Sequence, residues 1–181
     1  MIGLPNILTL IRIILIPIFI IIFYLPFTWA HYAAATIFAF ASLTDGLDGY
    51  LARKRNQISA FGAFLDPVAD KLLVACCLLL LVGNQNIHYI TLPAVVIVGR
   101  EIVVSALREW MAEIGKHASV AVNYIGKIKT FTQMVALILL IAFHSIASIG
   151  GFIGFVLLYI SAILTIWSMI VYLKAAWKEV Y

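Results

Sequence analysis

Six apolar runs, at about 7–26, 33–52, 63–83, 91–110, 124–143 and 152–173, make up most of this chain. Each is close to the ~20 mostly apolar residues a helix needs to cross a bilayer. None alternates polar with apolar residues as the strands of a membrane barrel do. Helices are then the remaining way to satisfy backbone groups in hydrocarbon. Composition agrees, with 65% of residues hydrophobic and 11% charged, against roughly 25% charged in an ordinary soluble domain. A soluble fold of 181 residues cannot bury so much apolar surface. The sequence therefore predicts an all-α integral membrane protein of six transmembrane helices, forming a single domain over residues 1–181. The first run is too long for a secretory signal, and Arg12 interrupts it. Cys76 and Cys77, deep in an apolar run, read as packing residues rather than a disulfide or metal pair.

The links between runs set the orientation. Those near 27–32, 84–90 and 144–151 contain no Lys or Arg. The others carry Arg53, Lys54 and Arg55, then Lys116, with Lys127 and Lys129 just inside the next run, and the C-terminus adds Lys174 and Lys178. Positive charge thus recurs at every other link, as the positive-inside rule requires, and both termini are expected in the cytoplasm. The net charge of +4 belongs to that face. It reads as topology and contact with anionic membrane lipid, not as nucleic-acid binding.

All four aspartates of the chain, Asp45, Asp48, Asp66 and Asp70, fall within 26 residues. Asp45 and Asp48 are three apart at the end of the second run, and Asp66 and Asp70 are four apart at the start of the third. Each pair projects from one helix face, and the polar link between the runs can turn at the cytoplasmic surface, bringing four carboxylates together. They need cations to be ionised together, and carboxylate oxygens suit hard divalent ions. No Cys or His lies in the stretch, which argues against zinc. The plainer alternative is a set of capping and snorkelling aspartates paired with Arg53 to Arg55 and Lys71. Gly46, Gly49, Ala52 and Gly62 keep the surface beside the acids bare, which serves close helix packing or the approach of a phosphate-bearing ligand. Metals held by aspartates commonly bridge phosphate oxygens, so phosphoryl-type transfer on a lipid, at the cytoplasmic edge of the membrane, is the expected chemistry.

The pattern Asp-x2-Asp-Gly-x2-Ala-Arg-x8-Gly-x3-Asp-x3-Asp, at Asp45, Asp48, Gly49, Ala52, Arg53, Gly62, Asp66 and Asp70, resembles the signature of the CDP-alcohol phosphotransferases. The segments NILTLIRIILIP and REIVVSALREWMAEIGKHASVAVNYIGKIKTFTQM are similar to the bacterial members that join CDP-diacylglycerol to sn-glycerol 3-phosphate and release CMP. The resemblance implies six transmembrane helices in the bacterial cytoplasmic membrane, often as a homodimer, around a cavity open to the cytoplasm. It implies that Asp45, Asp48 and Asp66 hold two divalent ions, Mg²⁺ or Mn²⁺. Asp70 would be the general base and also approach a metal. Gly49, Ala52, Arg53 and Gly62 would bound the CDP site.

Other polar positions are less constrained. Asn6, Thr9 and Arg12 form a stripe on the first helix that faces the nucleotide-lipid site, or else a cap plus a snorkelling Arg. Glu101 is expected to pair with an Arg. Arg108, Lys127 and Lys129 can meet at the cytoplasmic mouth and hold the acceptor phosphate, with Arg100 deeper in the same cavity; ordinary snorkelling is the rival for each. His31, His88 and His144 lie in or beside the links free of basic residues and are assigned no chemistry, nor is His117. GGFIG at 150–154 reads as a helix-packing element. Two rival functions remain: the same chemistry with another acceptor such as inositol phosphate, and a divalent-cation transporter. The aspartates lie near the ends of their runs and no repeat is visible, unlike a midplane transporter site.

Overall fold

The computed structural model describes residues 4–55, 60–84, 87–115 and 124–180; residues 4–6, 45–55, 60, 61, 63, 64, 124, 125 and 178–180 are described as helical backbone only. Each apolar run corresponds to one helix: α1 (Leu4–Phe23), α2 (Ala30–Arg55), α3 (Ala60–Val82), α4 (Thr91–Glu113), α5 (Tyr124–Phe143) and α6 (Ile149–Val180). No strand occurs among the described residues.

The helix ends differ from the run ends for local reasons. Helix α1 stops at Phe23, before the run does, because Pro26 disfavours a helical conformation at Leu25. Helices α2 and α6 continue beyond the apolar sequence to Arg55 and Val180. Ala, Lys, Arg and Leu prolong a helix as readily as apolar residues do. Helix α4 ends where Gly115 turns into the left-handed region at φ +69°, a conformation that costs glycine little.

Successive helices run in opposite directions. At one end, Thr9 of α1 meets Asp66 of α3, and Arg108 of α4 meets Tyr172 of α6. At the far end, Asn84 after α3 meets His144 after α5, and Tyr159 of α6 donates to the carbonyl of Tyr89 before α4. The most extensive packing is between α5 and α6. It depends on Gly154, where a Cβ would come within 2.9 Å of Leu139 Cβ and 3.1 Å of the Ala136 carbonyl oxygen. The packing role expected of the 150–154 glycines is seen there.

The core is apolar, built from Ile16, Phe19, Phe38, Leu73, Leu78, Leu137 and Leu140 among others. The outer faces are apolar too: Ile14, Ile21, Leu79, Val95, Ile102, Phe131 and Ile163 are exposed. Polar side chains point inward instead, and Thr9, Arg12, Thr44, Lys129, Gln133, Ser161 and Thr165 are buried. Among the described residues, two helical stretches, Gly126–Phe143 and Ile149–Trp177, are long and apolar enough to cross a membrane.

Candidate active site

The stripe Gly62, Asp66 and Asp70 follows from a spacing of four on α3, which keeps all three near one face. Gly62 is buried and both carboxylates are half-buried. Asp66 accepts a hydrogen bond from the Thr9 hydroxyl of α1. Thr9 and Arg12, three residues apart on α1, are each 1% exposed. Arg12 is therefore enclosed by protein and does not reach out to headgroups.

Asp45, Asp48, Gly49, Ala52 and Arg53 lie on the second half of α2, a helix that packs mainly on α1 and α5 and also touches α3; their side chains, and that of Asn6 on α1, lie outside the described residues. No cluster of three or more Asp, Glu, His or Cys side chains occurs among the described residues. The part of the acidic site that is described suits hard cations nonetheless. Asp66 and Asp70 offer only oxygen donors one turn apart, beside the Thr9 hydroxyl, and hard divalent ions prefer oxygen.

Asp70 opens into a cavity of about 230 Å³ between α3, α4, α5 and α6. Its charged lining consists of Asp70, Lys71, Arg100, Glu101, Arg108 and Lys129. Four cations against two carboxylates give a formal charge of +2. Thr130, Gln133, Ser168 and Tyr172 add neutral polar groups, and Val74, Met134, Trp167 and Val171 supply apolar wall. The volume is below the ~300–1,000 Å³ usual for drug-sized ligands. It suits a small anion rather than a nucleotide lipid.

Glu101 organises the cations. Its Oε1 accepts from Arg100 Nη1 at 2.9 Å and from Lys129 Nζ at 2.8 Å. The pairing expected of Glu101 with an Arg is present, and a Lys shares it. Arg100 also donates to Ser168 at 3.4 Å. Lys71 donates to Ser105, whose hydroxyl donates at 2.6 Å to the Glu101 carbonyl. Arg108 donates at 2.8 Å to the Tyr172 hydroxyl, with its guanidinium carbon 5.2 Å from the ring centroid. Lys129 is 4% exposed and lines the same cavity as Asp70. An ammonium buried that deeply persists because Glu101 compensates it.

Arg100, Arg108 and Lys129 therefore share one cavity with Asp70, whereas Lys127 does not. Two residues on a helix are about 200° apart, so Lys127 faces a separate groove with Leu43, Phe131 and Ile138. Lys71, Gln133, Ser168 and Tyr172 were missed by sequence reasoning as parts of the site. For Gln133 a signal existed, since it lies one turn beyond Lys129, at the border of the apolar stretch that follows. Ser168 and Tyr172 gave none, because nothing in sequence says that α6 packs beside α4.

Residues 2–167 match the CDP-alcohol phosphatidyltransferase family. A protein of Yersinia enterocolitica is 54% identical over 179 residues, covering 98% of this chain and 96% of its own. Proteins of Shigella flexneri and Escherichia coli are 53% identical over 174 residues, covering 96% of this chain and 94% of theirs. All three are named CDP-diacylglycerol–glycerol-3-phosphate 3-phosphatidyltransferase. With its match over residues 2–167 and relatives this similar along nearly its whole length, the chain belongs to the CDP-alcohol phosphatidyltransferase family.

Proposed function

We propose that this protein transfers the phosphatidyl group of CDP-diacylglycerol to sn-glycerol 3-phosphate, giving phosphatidylglycerol phosphate and CMP. The observation that carries this reading is the single cavity joining Asp70 to Arg100, Arg108 and Lys129. A carboxylate that can accept a proton sits beside a pocket whose charge complements a phosphate dianion. The names of the relatives support the same acceptor. A choline-type acceptor would call for an aromatic cage, not four cations. Inositol phosphate shares the anionic chemistry, and the relatives' names favour glycerol phosphate over it.

In this mechanism Arg100, Arg108 and Lys129 hold the acceptor phosphate and fix its orientation. The primary hydroxyl is then directed at Asp70, which takes its proton as the oxygen attacks the β-phosphorus of the lipid. The new O–P bond forms as the bond from that phosphorus to the bridging oxygen breaks, and CMP leaves with that oxygen. Asp45, Asp48, Asp66 and Asp70 would hold two divalent ions, Mg²⁺ or Mn²⁺, whose charge would neutralise the diphosphate when they are bound. Gly49, Ala52, Arg53 and Gly62 would border the CDP moiety, and Asn6, Thr9 and Arg12 would line the same side from α1. Thr9 does so by fixing the Asp66 carboxylate. Positioning and charge neutralisation supply most of the acceleration in transfers of this kind.

All six helices would cross the bacterial cytoplasmic membrane, with both termini and the cavity on the cytoplasmic side. The apolar outer surface supports this. So do exposed Tyr24, Trp29, Tyr32 and Tyr89 at the far end and Trp110 and Trp177 at the other, as in the aromatic belts of membrane proteins.

The test supplies purified protein with CDP-diacylglycerol, Mg²⁺ and a panel of alcohol acceptors. CMP release is expected with glycerol 3-phosphate, and the lipid product should be phosphatidylglycerol phosphate. Faster turnover with inositol phosphate would reject the acceptor. The Asp70→Asn variant should still bind CDP-diacylglycerol but lose kcat by about 10²–10⁴-fold, the usual size of a general-base contribution. Near-normal kcat would remove Asp70 from that role.

A further inference from the structure

Gln133 is 4% exposed, and its side-chain carbonyl oxygen has no hydrogen-bond partner among the described residues. A buried amide oxygen left without a donor is costly, and most such groups in proteins are satisfied. The position is not a packing accident at the periphery. Gln133 lies one turn beyond Lys129 on α5, on the face that lines the cavity with Asp70 and Arg100.

The chemistry of the cavity narrows what this amide can meet. A phosphate dianion has only acceptor oxygens, and an amide carbonyl repels it. The cations of the cavity already answer that charge. What a carbonyl oxygen requires is a donor, and the donors on a glycerol phosphate are its two hydroxyls. The primary hydroxyl gives its proton to Asp70 in the reaction proposed above. The secondary hydroxyl at C2 remains. A hydroxyl can donate its hydrogen to this carbonyl oxygen.

We propose that Gln133 is a specificity-determining residue that binds the C2 hydroxyl of the acceptor, so that the site selects 1,2-diol monophosphates over mono-alcohol phosphates. This rests on the reading of the acceptor as glycerol 3-phosphate. Lys129 and Gln133, one turn apart on a single helix, then hold the phosphate and the adjacent hydroxyl together. That two-point grip fixes the rotation of the acceptor and presents its primary hydroxyl to Asp70.

The experiment compares CMP release from CDP-diacylglycerol with sn-glycerol 3-phosphate and with 3-hydroxypropyl phosphate, which lacks only the C2 hydroxyl. The wild type is expected to prefer the diol by at least about tenfold in kcat/KM, the scale of one buried hydrogen bond left unmade. Gln133→Met should lose activity on the diol and keep it on the mono-alcohol, bringing the preference to within about threefold of unity. Gln133→Asn, with its amide one methylene short, should fall between. A purely structural role for Gln133 would lower both rates and leave their ratio unchanged. Equal use of the two acceptors by the wild type would overturn the inference without reference to any variant. So would a Gln133→Met enzyme that keeps the full preference. Failure of the wild type to release CMP with either acceptor would overturn the glycerol phosphate reading, and this inference with it.

Discussion

Glu101 holds two cations on one carboxylate oxygen, and this decides how the cavity responds to mutation. Arg100 and Lys129 sit 2.9 and 2.8 Å from that oxygen, and both are largely withdrawn from water. Removing one member of such a set leaves the others uncompensated, which costs more than the pair itself contributes. Glu101→Gln and Lys129→Met should each destabilise the protein by about 1–3 kcal/mol. The double variant should be less destabilised than the sum, by at least about 1 kcal/mol, because the second change removes the charge that the first left unpaired. Chemical unfolding of the four proteins in detergent measures this. Strict additivity would mean that Glu101 and Lys129 do not share their energy. Sequence anticipated part of this local structure: an acidic residue inside an apolar run must be paired, and Glu101 is. It did not reveal that Lys129 is the second partner. That contact is tertiary, joining α4 to α5 across the cavity, and no periodicity within either segment encodes it.

At the scale of elements, apolarity located every helix but not the ends. A run stops where its residues cease to dissolve in lipid, whereas a helix stops where the backbone is broken. Arg55 and Val180 lie beyond the first limit and within the second. The far ends of the helices hold a contact that sequence left without meaning. His31 of α2 and His144 after α5 stack with ring centroids 3.8 Å apart, and the amide nitrogen of Asn84 lies 3.2 Å from His144 Nδ1. His144 also adopts a left-handed backbone, at φ +50°. Burial lowers the affinity of His144 for a proton below its ordinary value of 6.5, and the charge of His31 adds to this. Tyr24 is the other titratable group lining the cavity around this pair, among the described residues. A histidine with a lowered pKa in the folded state binds fewer protons there than when unfolded. Stability is then complete above about pH 6.5 and is lost as pH falls through the folded value. The melting temperature should drop more between pH 7.5 and 5 in the wild type than in His144→Asn. Parallel curves would show that protonation of His144 does not oppose this packing.

For the whole molecule, the distribution of polarity is reversed relative to a soluble bundle. Isoleucine, leucine and phenylalanine cover the outside while Arg12, Lys129 and Gln133 are buried. This arrangement follows if the surrounding medium is hydrocarbon, since water then is found only at the ends and in the cavity. The basic links fall at the end that carries the aspartates, and the links free of Lys and Arg at the other. The site can use cytosolic glycerol phosphate only if its end faces the cytoplasm. A protein with Cys76 and Cys77 replaced by Ala can report the direction through single cysteines at exposed positions. Thr28→Cys and Ala147→Cys, at the far end, should react in intact spheroplasts with a thiol reagent that does not cross membranes. Glu113→Cys, at the end of α4, should react only after permeabilisation. The assignment is internally constrained, because Thr28 and Ala147 belong to separate links of a bundle whose helices alternate in direction, and must agree with each other whichever way it inserts. Labelling of Glu113→Cys alone in intact spheroplasts would invert the bundle, leaving Asp70 and its four neighbouring cations on the side without a cytosolic acceptor, and the proposed reaction would fail with it. Labelling of only one of the two far-end cysteines would break the alternation itself, and with it the six-span topology.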